Sequence, residues 1–147
     1  MAEAPKVEEV HIAADSLHMH KGEEVILSQD SSSLRKVMVG LGWDAPEKVE
    51  IYAVDIDSSA FLLRSDRRVR RDTDFVFYNN LETENGAITH CGDNITGGGE
   101  GDDEEIKVDL ERVPFDVERI SFAVTIHNAE ERQQSFGIVK GAFIRIV

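Results

Sequence analysis

One stretch of this chain has an unusual density of hard oxygen donors. From Gly92 to Glu105 it holds five of the 11 glycines and six carboxylates, with no lysine or arginine. Asp102, Asp103, Glu104 and Glu105 are consecutive. Adjacent carboxylates resist ionising together unless a cation neutralises them. The glycines let the backbone turn through left-handed conformations and present its carbonyls. Clustered carboxylates on pliable backbone suit Ca²⁺, which takes about 6–8 oxygen ligands; Mg²⁺ demands stricter geometry and keeps its waters. The competing reading is a solvated acidic loop that binds nothing. No known calcium pattern decides between them. Counting from Asp93, the alternate positions of an EF-hand loop fall on Ile95 and Gly97. Gly98 to Asp103 approaches one calcium β-roll repeat, but Glu105 stands where an apolar residue is needed and there is no second copy.

Other residues could join such a site. Asp55 and Asp57 stand two apart, so on a strand their side chains share a face. They could clamp a cation with the acidic loop, or Asp57 could cap a turn through Ser58 and Ser59. Asn79 and Asn80 offer neutral oxygens and also suit a turn. His18 and His20 would share a strand face, but two histidines without further ligands make a poor zinc site. His127 falls at a strand end, where a site or a simple turn contact would use it. His90 and Cys91 are adjacent, so on a strand they face opposite ways; Cys91 is expected to be a small buried residue. Five arginines between Arg64 and Arg71 could bind an anion, or form a solvated hairpin tip that balances nearby acids.

The elements that position these residues are strands. Lys36 to Trp43 places Val37, Val39, Leu41 and Trp43 on one face, and Met38, Gly40 and Gly42 on the other. The glycines suggest a bulge or a backbone passing close. Further strands are expected at Glu24–Leu27 and Val49–Ile56. Phe75–Tyr78 reads as a central strand covered on both faces, and strands follow at Glu105–Leu110, Arg119–His127 and Gly141–Val147. Loops are expected at Ser28–Ser33, around Pro46 and from Asn128 to Gly137, the last with at most one helical turn. Asn85-Gly86 marks a hairpin turn. Short strands between turns, without a long helix, predict an all-β sandwich of two mainly antiparallel sheets with long acidic loops. Residues 1–16 read as a polar tail, and residues 17–147 as one domain.

Composition narrows the function classes. The net charge is -13, which disfavours nucleic acid and anionic membrane surfaces. One cysteine forms no internal disulfide, and neither a signal peptide nor a transmembrane run is expected, so the expected location is cytoplasmic. There is no nucleophile elbow and no phosphate loop. A two-carboxylate hydrolase is disfavoured because its acids would be crowded in one flexible loop.

The chain resembles the TerD family of bacterial tellurium-resistance and general stress proteins. The matching pieces are Lys21-Gly22, Val37 to Asp44 (VMVGLGWD), Asp55 to Leu63 (DIDSSAFLL) and Asp72 to Asn80 (DTDFVFYNN). They continue with His90 to Glu104, Val124 to His127, Gln134 to Gly137 (QSFG) and Gly141 to Arg145 (GAFIR). They occur in family order from Leu17 to Val147. The resemblance implies a non-catalytic, calcium-binding β-sandwich linked to tellurite resistance and stress, alongside partners some of which are membrane-associated. It implies calcium ligands at Asp55, Asp57, Asn79 and Asn80, and in the loop at Asp93, Asn94, Gly97, Gly99, Asp102, Asp103 and Glu104. Ala53 stands where the family often has Asp, Asn128 replaces an Asp, and Arg71 replaces a common Gly. The family domain is expected to continue past the strand of Ile144 and Arg145, which would leave a sheet edge exposed or paired with another chain. The alternative function is a metal-independent interaction module, its acidic loop meeting a basic partner or the arginine hairpin of another copy.

Overall fold

The computed structural model describes residues 17–27, 34–44, 54–92 and 101–147. The expected tail at 1–16, the loop at Ser28–Ser33, the turn at Pro46, the strand segment 49–53 and the loop residues Asp93 to Glu100 lie outside the described residues. The chain divides into two units, Met1–Leu34 and Arg35–Val147. In the first, His20 N–H donates to the Glu23 carboxylate at 2.8 Å, and Glu23 N–H returns to His20 O at 3.1 Å. The strand expected at Glu24–Leu27 does not form, and Ile26 is 80% exposed. A run with three apolar residues makes a strand only against a partner, and its unit supplies none among the described residues.

The second unit is built from β1 (Lys36–Gly42), β2 (Ile56–Leu63), β3 (Phe75–Val76), β4 (Ile88–His90), β5 (Glu104–Asp109), β6 (Arg119–Ile126), a single helical turn α1 (Ala129–Arg132) and β7 (Phe143–Ile146). One sheet has the order β4-β5-β1-β7 and the other β3-β2-β6, with every pairing antiparallel. The two sheets pack face to face, as the alternation predicts. Val39, Ile88, Ile106 and Val108 from the first meet Ala60, Leu62 and Val76 from the second in one core cluster. Leu41 and Trp43 join Val54 and Ile56 in another. Each fully buried Ile, Leu or Val contributes about 1.5–3 kcal/mol, so these positions fix the strand registers. Among the described residues, no helix is long and apolar enough to cross a membrane.

Four expectations are corrected. The glycines of β1 make room for side chains rather than for a bulge or a backbone. A Cβ on Gly40 would lie 2.3 Å from Asp102 Oδ2, and one on Gly42 would lie 2.4 Å from the Phe143 ring. Phe75 to Tyr78 is not a central strand: only Phe75 and Val76 pair, at a sheet edge, before a turn in which Phe77 and Asn80 bond to each other. Its apolar outer side is satisfied by stacking, with Phe75 at 4.4 Å from Phe61 and 4.6 Å from Phe77. Ser58 and Ser59 form no turn; they lie inside β2, paired with Val124 and Ala123 of β6. Cys91 is exposed, because Ile88 and His90 take the inward positions of β4 and the following residue falls outward.

The arginine-rich stretch balances nearby acids as expected, but it is not solvated throughout: Arg67, Arg68 and Arg71 are exposed, whereas the Arg70 side chain is 21% exposed and that of its partner Asp74 4%. Arg70 holds Asp74 through two bonds of 2.8 and 3.1 Å, Arg71 reaches Glu84 at 2.8 Å, and Arg64 lies 3.6 Å from Asp66. Asn85-Gly86 turns as expected, with Gly86 at φ 72° and its N–H donating to Thr83 O at 3.0 Å.

Candidate functional site

The sandwich brings the start of β5, the end of β4 and the start of β2 together at one end. β5 alternates Glu104, Ile106 and Val108 inward, so the inward series begins with a carboxylate. That carboxylate is 0% exposed. Its Oε2 accepts Ser58 N–H at 2.7 Å and Ser58 Oγ–H at 2.5 Å, and His90 Nε2 stands 3.5 Å away. A buried carboxylate at the rim of an apolar core persists only with such donors. The serine that reads locally as a turn former is therefore recruited by a carboxylate 46 residues away.

Asp55 and Asp57 flank Ile56, each 9% exposed; Asp57 lies on β2 and Asp55 just before it, so the strand expected at Val49–Ile56 is not formed at Val54 and Asp55. Asp57 Oδ2 lies 3.7 Å from His127 Nδ1, and His127 packs edge-on against Tyr78 at 5.8 Å. Asp55 holds the end of β6 by accepting His127 N–H on its backbone oxygen at 2.8 Å. Its side-chain Oδ1 is buried with no hydrogen-bond partner among the described residues. Burial pushes the Asp55 carboxyl above its ordinary value of 3.8, while His127 and Arg132 pull it back and Glu104 adds to the rise.

Asp102 and Asp103 complete the group. Asp103 N–H donates to Leu41 O at 2.7 Å, and its Oδ2 accepts Trp43 N–H at 2.8 Å, which ties the loop end to β1. Asp102 lies over bare Gly40, and its Oδ2 accepts Arg145 Nη2 at 2.8 Å and Nε at 3.1 Å. The Asp102 side chain is 1% exposed, and its Oδ1 has no hydrogen-bond partner among the described residues. Asp102 to Glu105, with Cys91 and Gly92, line an open hollow of about 250 Å³.

Of the expected ligands, Asp102, Asp103 and Glu104 line one hollow, and Asp55 is not among its lining residues. Asp57 stands beside His127. Asn79 is exposed, and Asn80 serves its turn by donating from Nδ2 to Phe75 O at 2.6 Å. Asp93, Asn94, Gly97 and Gly99 lie outside the described residues. Among the described residues, no three His, Cys, Asp or Glu side chains stand close enough together to hold a metal ion. Two buried carboxylate oxygens without a donor among the described residues, Asp55 Oδ1 and Asp102 Oδ1, are nonetheless each of the hard-oxygen type that a calcium ion takes. Calcium also fills its shell with backbone carbonyls and water, so the fit does not require three convergent side chains. Sequence reasoning missed Arg145, whose one signal is a charge alternating into an apolar strand, and the Ser58–Glu104 pair, which has no local signal.

Residues 16–147 match the family model of the TerD domain. The chain is 53% identical over 132 residues to the tellurium resistance protein TerD of Alcaligenes sp, covering 90% of this chain and 68% of that one. It is 48% identical over 132 residues to general stress protein 16U of Bacillus subtilis (strain 168), with coverage of 90% and 68%. It therefore spans about two thirds of the length of these relatives. Among solved structures it is similar to a homologue of the telluride resistance protein (TerD) from Streptomyces coelicolor A3(2), with a TM-score of 0.66 at 23% identity over 78% of this chain and 66% of that one. At that identity the likeness bears on the fold alone.

Proposed function

The chain belongs to the TerD family, and on that premise we propose that it is a non-catalytic, calcium-binding stress-response protein linked to tellurite resistance. The observation that supports calcium is two buried carboxylate oxygens, Asp55 Oδ1 and Asp102 Oδ1, each without a hydrogen-bond partner among the described residues. Leaving such an oxygen unpaired costs about 1–3 kcal/mol, and a bound cation would remove that cost. The proposed donors are Asp55, Asp57, Asp102, Asp103 and Glu104, joined by Asp93, Asn94, Gly97 and Gly99 of the loop. Asn79 and Asn80 enter the proposed set through the family resemblance alone. Calcium would supply the positive charge that lets the acids ionise together. Binding to the folded state alone raises stability by about 2.7 kcal/mol at a hundredfold excess over Kd. Its proposed setting is the cytoplasm, with other stress or tellurium-resistance proteins, some membrane-associated, as partners.

The test is Asp102→Asn combined with Asp103→Asn, measured beside Asp55→Asn. Calcium affinity should fall by about tenfold or more in each, since each removes charge from the donor set. Unchanged affinity in both would sink the site assignment.

A second reading is favoured by the exposed Arg67 and Arg68 at the hairpin tip. Here the acidic loop end and the arginine hairpin of two copies meet without metal. Sedimentation should then show self-association that weakens with salt and ignores chelator; a salt-independent monomer would rule it out.

A further inference from the structure

We infer that Arg145 is a tethered counter-cation of the acidic hollow, one that calcium must displace from Asp102 in order to bind. The inference rests on the calcium reading above and adds a residue that sets its affinity.

Asp102 lines the hollow, and its two oxygens are held unequally. One oxygen takes two bonds from the Arg145 guanidinium, at 2.8 and 3.1 Å. The other is buried and has no hydrogen-bond partner among the described residues. An arginine that served only to neutralise a structural aspartate would be expected to bridge both oxygens in a fork, as Arg70 does with the two oxygens of Asp74. At Asp102 both bonds fall on a single oxygen; the second offers a cation its first contact, and bidentate coordination then requires Arg145 to leave Oδ2. The cradle is specific, because Gly40 leaves the space that the carboxylate fills; a Cβ there would lie 2.3 Å from Oδ2.

Arg145 itself is able to leave. It stands on β7, at the edge of its sheet, and its side chain is 53% exposed. A guanidinium in that position regains water on release, so its bond to Asp102 is readily exchanged. The charge of Glu105 also acts on it. Its hydrogen bond to Asp102 and these negative charges hold its proton more tightly than usual, so it remains a cation at every accessible pH. A permanent positive charge opposes a divalent ion at the same carboxylate. In a water-like dielectric the repulsion between a unit and a divalent charge is worth about 3–10-fold in affinity at separations of roughly 6–12 Å.

The experiment is a calorimetric calcium titration of chelator-stripped protein in four forms: wild type, Arg145→Gln, Arg145→Lys and Arg35→Gln. Arg35→Gln is the charge-matched control. It pairs with Glu111 at 3.7 Å and lies five residues from Gly40 along the strand, about 17 Å away. Arg145→Gln should bind calcium about 3–10-fold more tightly, while Arg145→Lys, which keeps the charge, and Arg35→Gln stay within about twofold of wild type. Binding to Arg145→Gln that is unchanged or weaker, beside a wild type that binds, overturns the counter-cation role and leaves the calcium reading standing. Equal tightening in Arg145→Lys overturns it too, since charge would not be the cause. No binding in any form overturns both readings.

A second measurement needs no variant to fold. In ¹⁵N-labelled wild type, the Arg145 Nε–H signal should be protected from solvent exchange in chelator and lose that protection at saturating calcium. Protection that persists with calcium bound overturns the inference.

Discussion

Replacing Gly40 by alanine would set a methyl carbon 2.3 Å from Asp102 Oδ2 and 2.5 Å from its Cγ. Ordinary contact requires the carboxylate to retreat by about 1 Å. It has little freedom to do so. The chain just beyond it is fixed by the 2.7 Å bond from Asp103 N–H to Leu41 O, and its own Oδ2 is held by Arg145. Overpacking of this kind costs about 1–3 kcal/mol. Loss of the Arg145 pair adds about 0–1 kcal/mol, because that arginine is half exposed. Alanine in a strand returns about 0.5–1 kcal/mol over glycine. The net is a loss between about 0 and 3.5 kcal/mol, centred on about 2, and at that centre Tm falls by about 6–8 °C for a domain of this size. The assay is thermal and urea unfolding in chelator, run as a cycle with Asp102→Ala. In the Asp102→Ala background the obstruction is gone, and Gly40→Ala should become neutral or slightly stabilising, with a coupling of about 1.5–3 kcal/mol. A loss of the same size in both backgrounds, or none in wild type, would refute the packing of Asp102 over Gly40.

Three further outcomes are expected. Arg70→Gln should destabilise by about 2–4 kcal/mol, because it strands Asp74, whose side chain is 4% exposed; Arg71→Gln, in an exposed pair with Glu84, should cost less than about 1 kcal/mol, and equal costs in urea melts would contradict the burial argument. Asp55→Asn should stabilise the metal-free protein at neutral pH. The folded Asp55 carboxyl sits above its ordinary 3.8, so its stabilising contribution is full below 3.8 and is lost as pH rises through the folded value. The Tm advantage of the variant in chelator should therefore grow from pH 3.5 towards neutrality, and an advantage that shrinks would reverse the sign. Cys91, being exposed, should react with a thiol reagent in the native protein at a rate close to that in denaturant, whereas strong native protection would return it to the core.

Much of the fold is written in period-two alternation. β1, β5 and β6 are legible because Val39 and Leu41, Ile106 and Val108, and Phe122 and Val124 each put apolar side chains on one face. The signal fails where a residue's partner lies far along the chain. Ser58-Ser59 reads as a turn because serine bonds locally when nothing else is offered; Glu104 offers something better from the other sheet. Phe75 to Tyr78 reads as a buried central strand because its rings are apolar, yet they bury one another by stacking on an edge. Cys91 reads as core from residue type, but strand parity decides, and His90 holds the inward place. At the site, the density of acids from Asp102 to Glu105 is evident in the sequence, and so is the pairing of Asp55 with Asp57. What they lean on is not. Arg145 and Gly40 meet Asp102 only because β7 and β5 flank β1 on its two sides. A resemblance in motif order names donors; only the sheet order shows which neighbour already holds one of them.

The most direct test is calorimetric titration of calcium into chelator-stripped protein, with a thermal melt at each end. The account predicts saturable binding and a higher Tm in calcium, with both reduced in Asp55→Asn and in Asp102→Asn with Asp103→Asn. An absence of binding heat, with identical melts in calcium and in chelator, would contradict it.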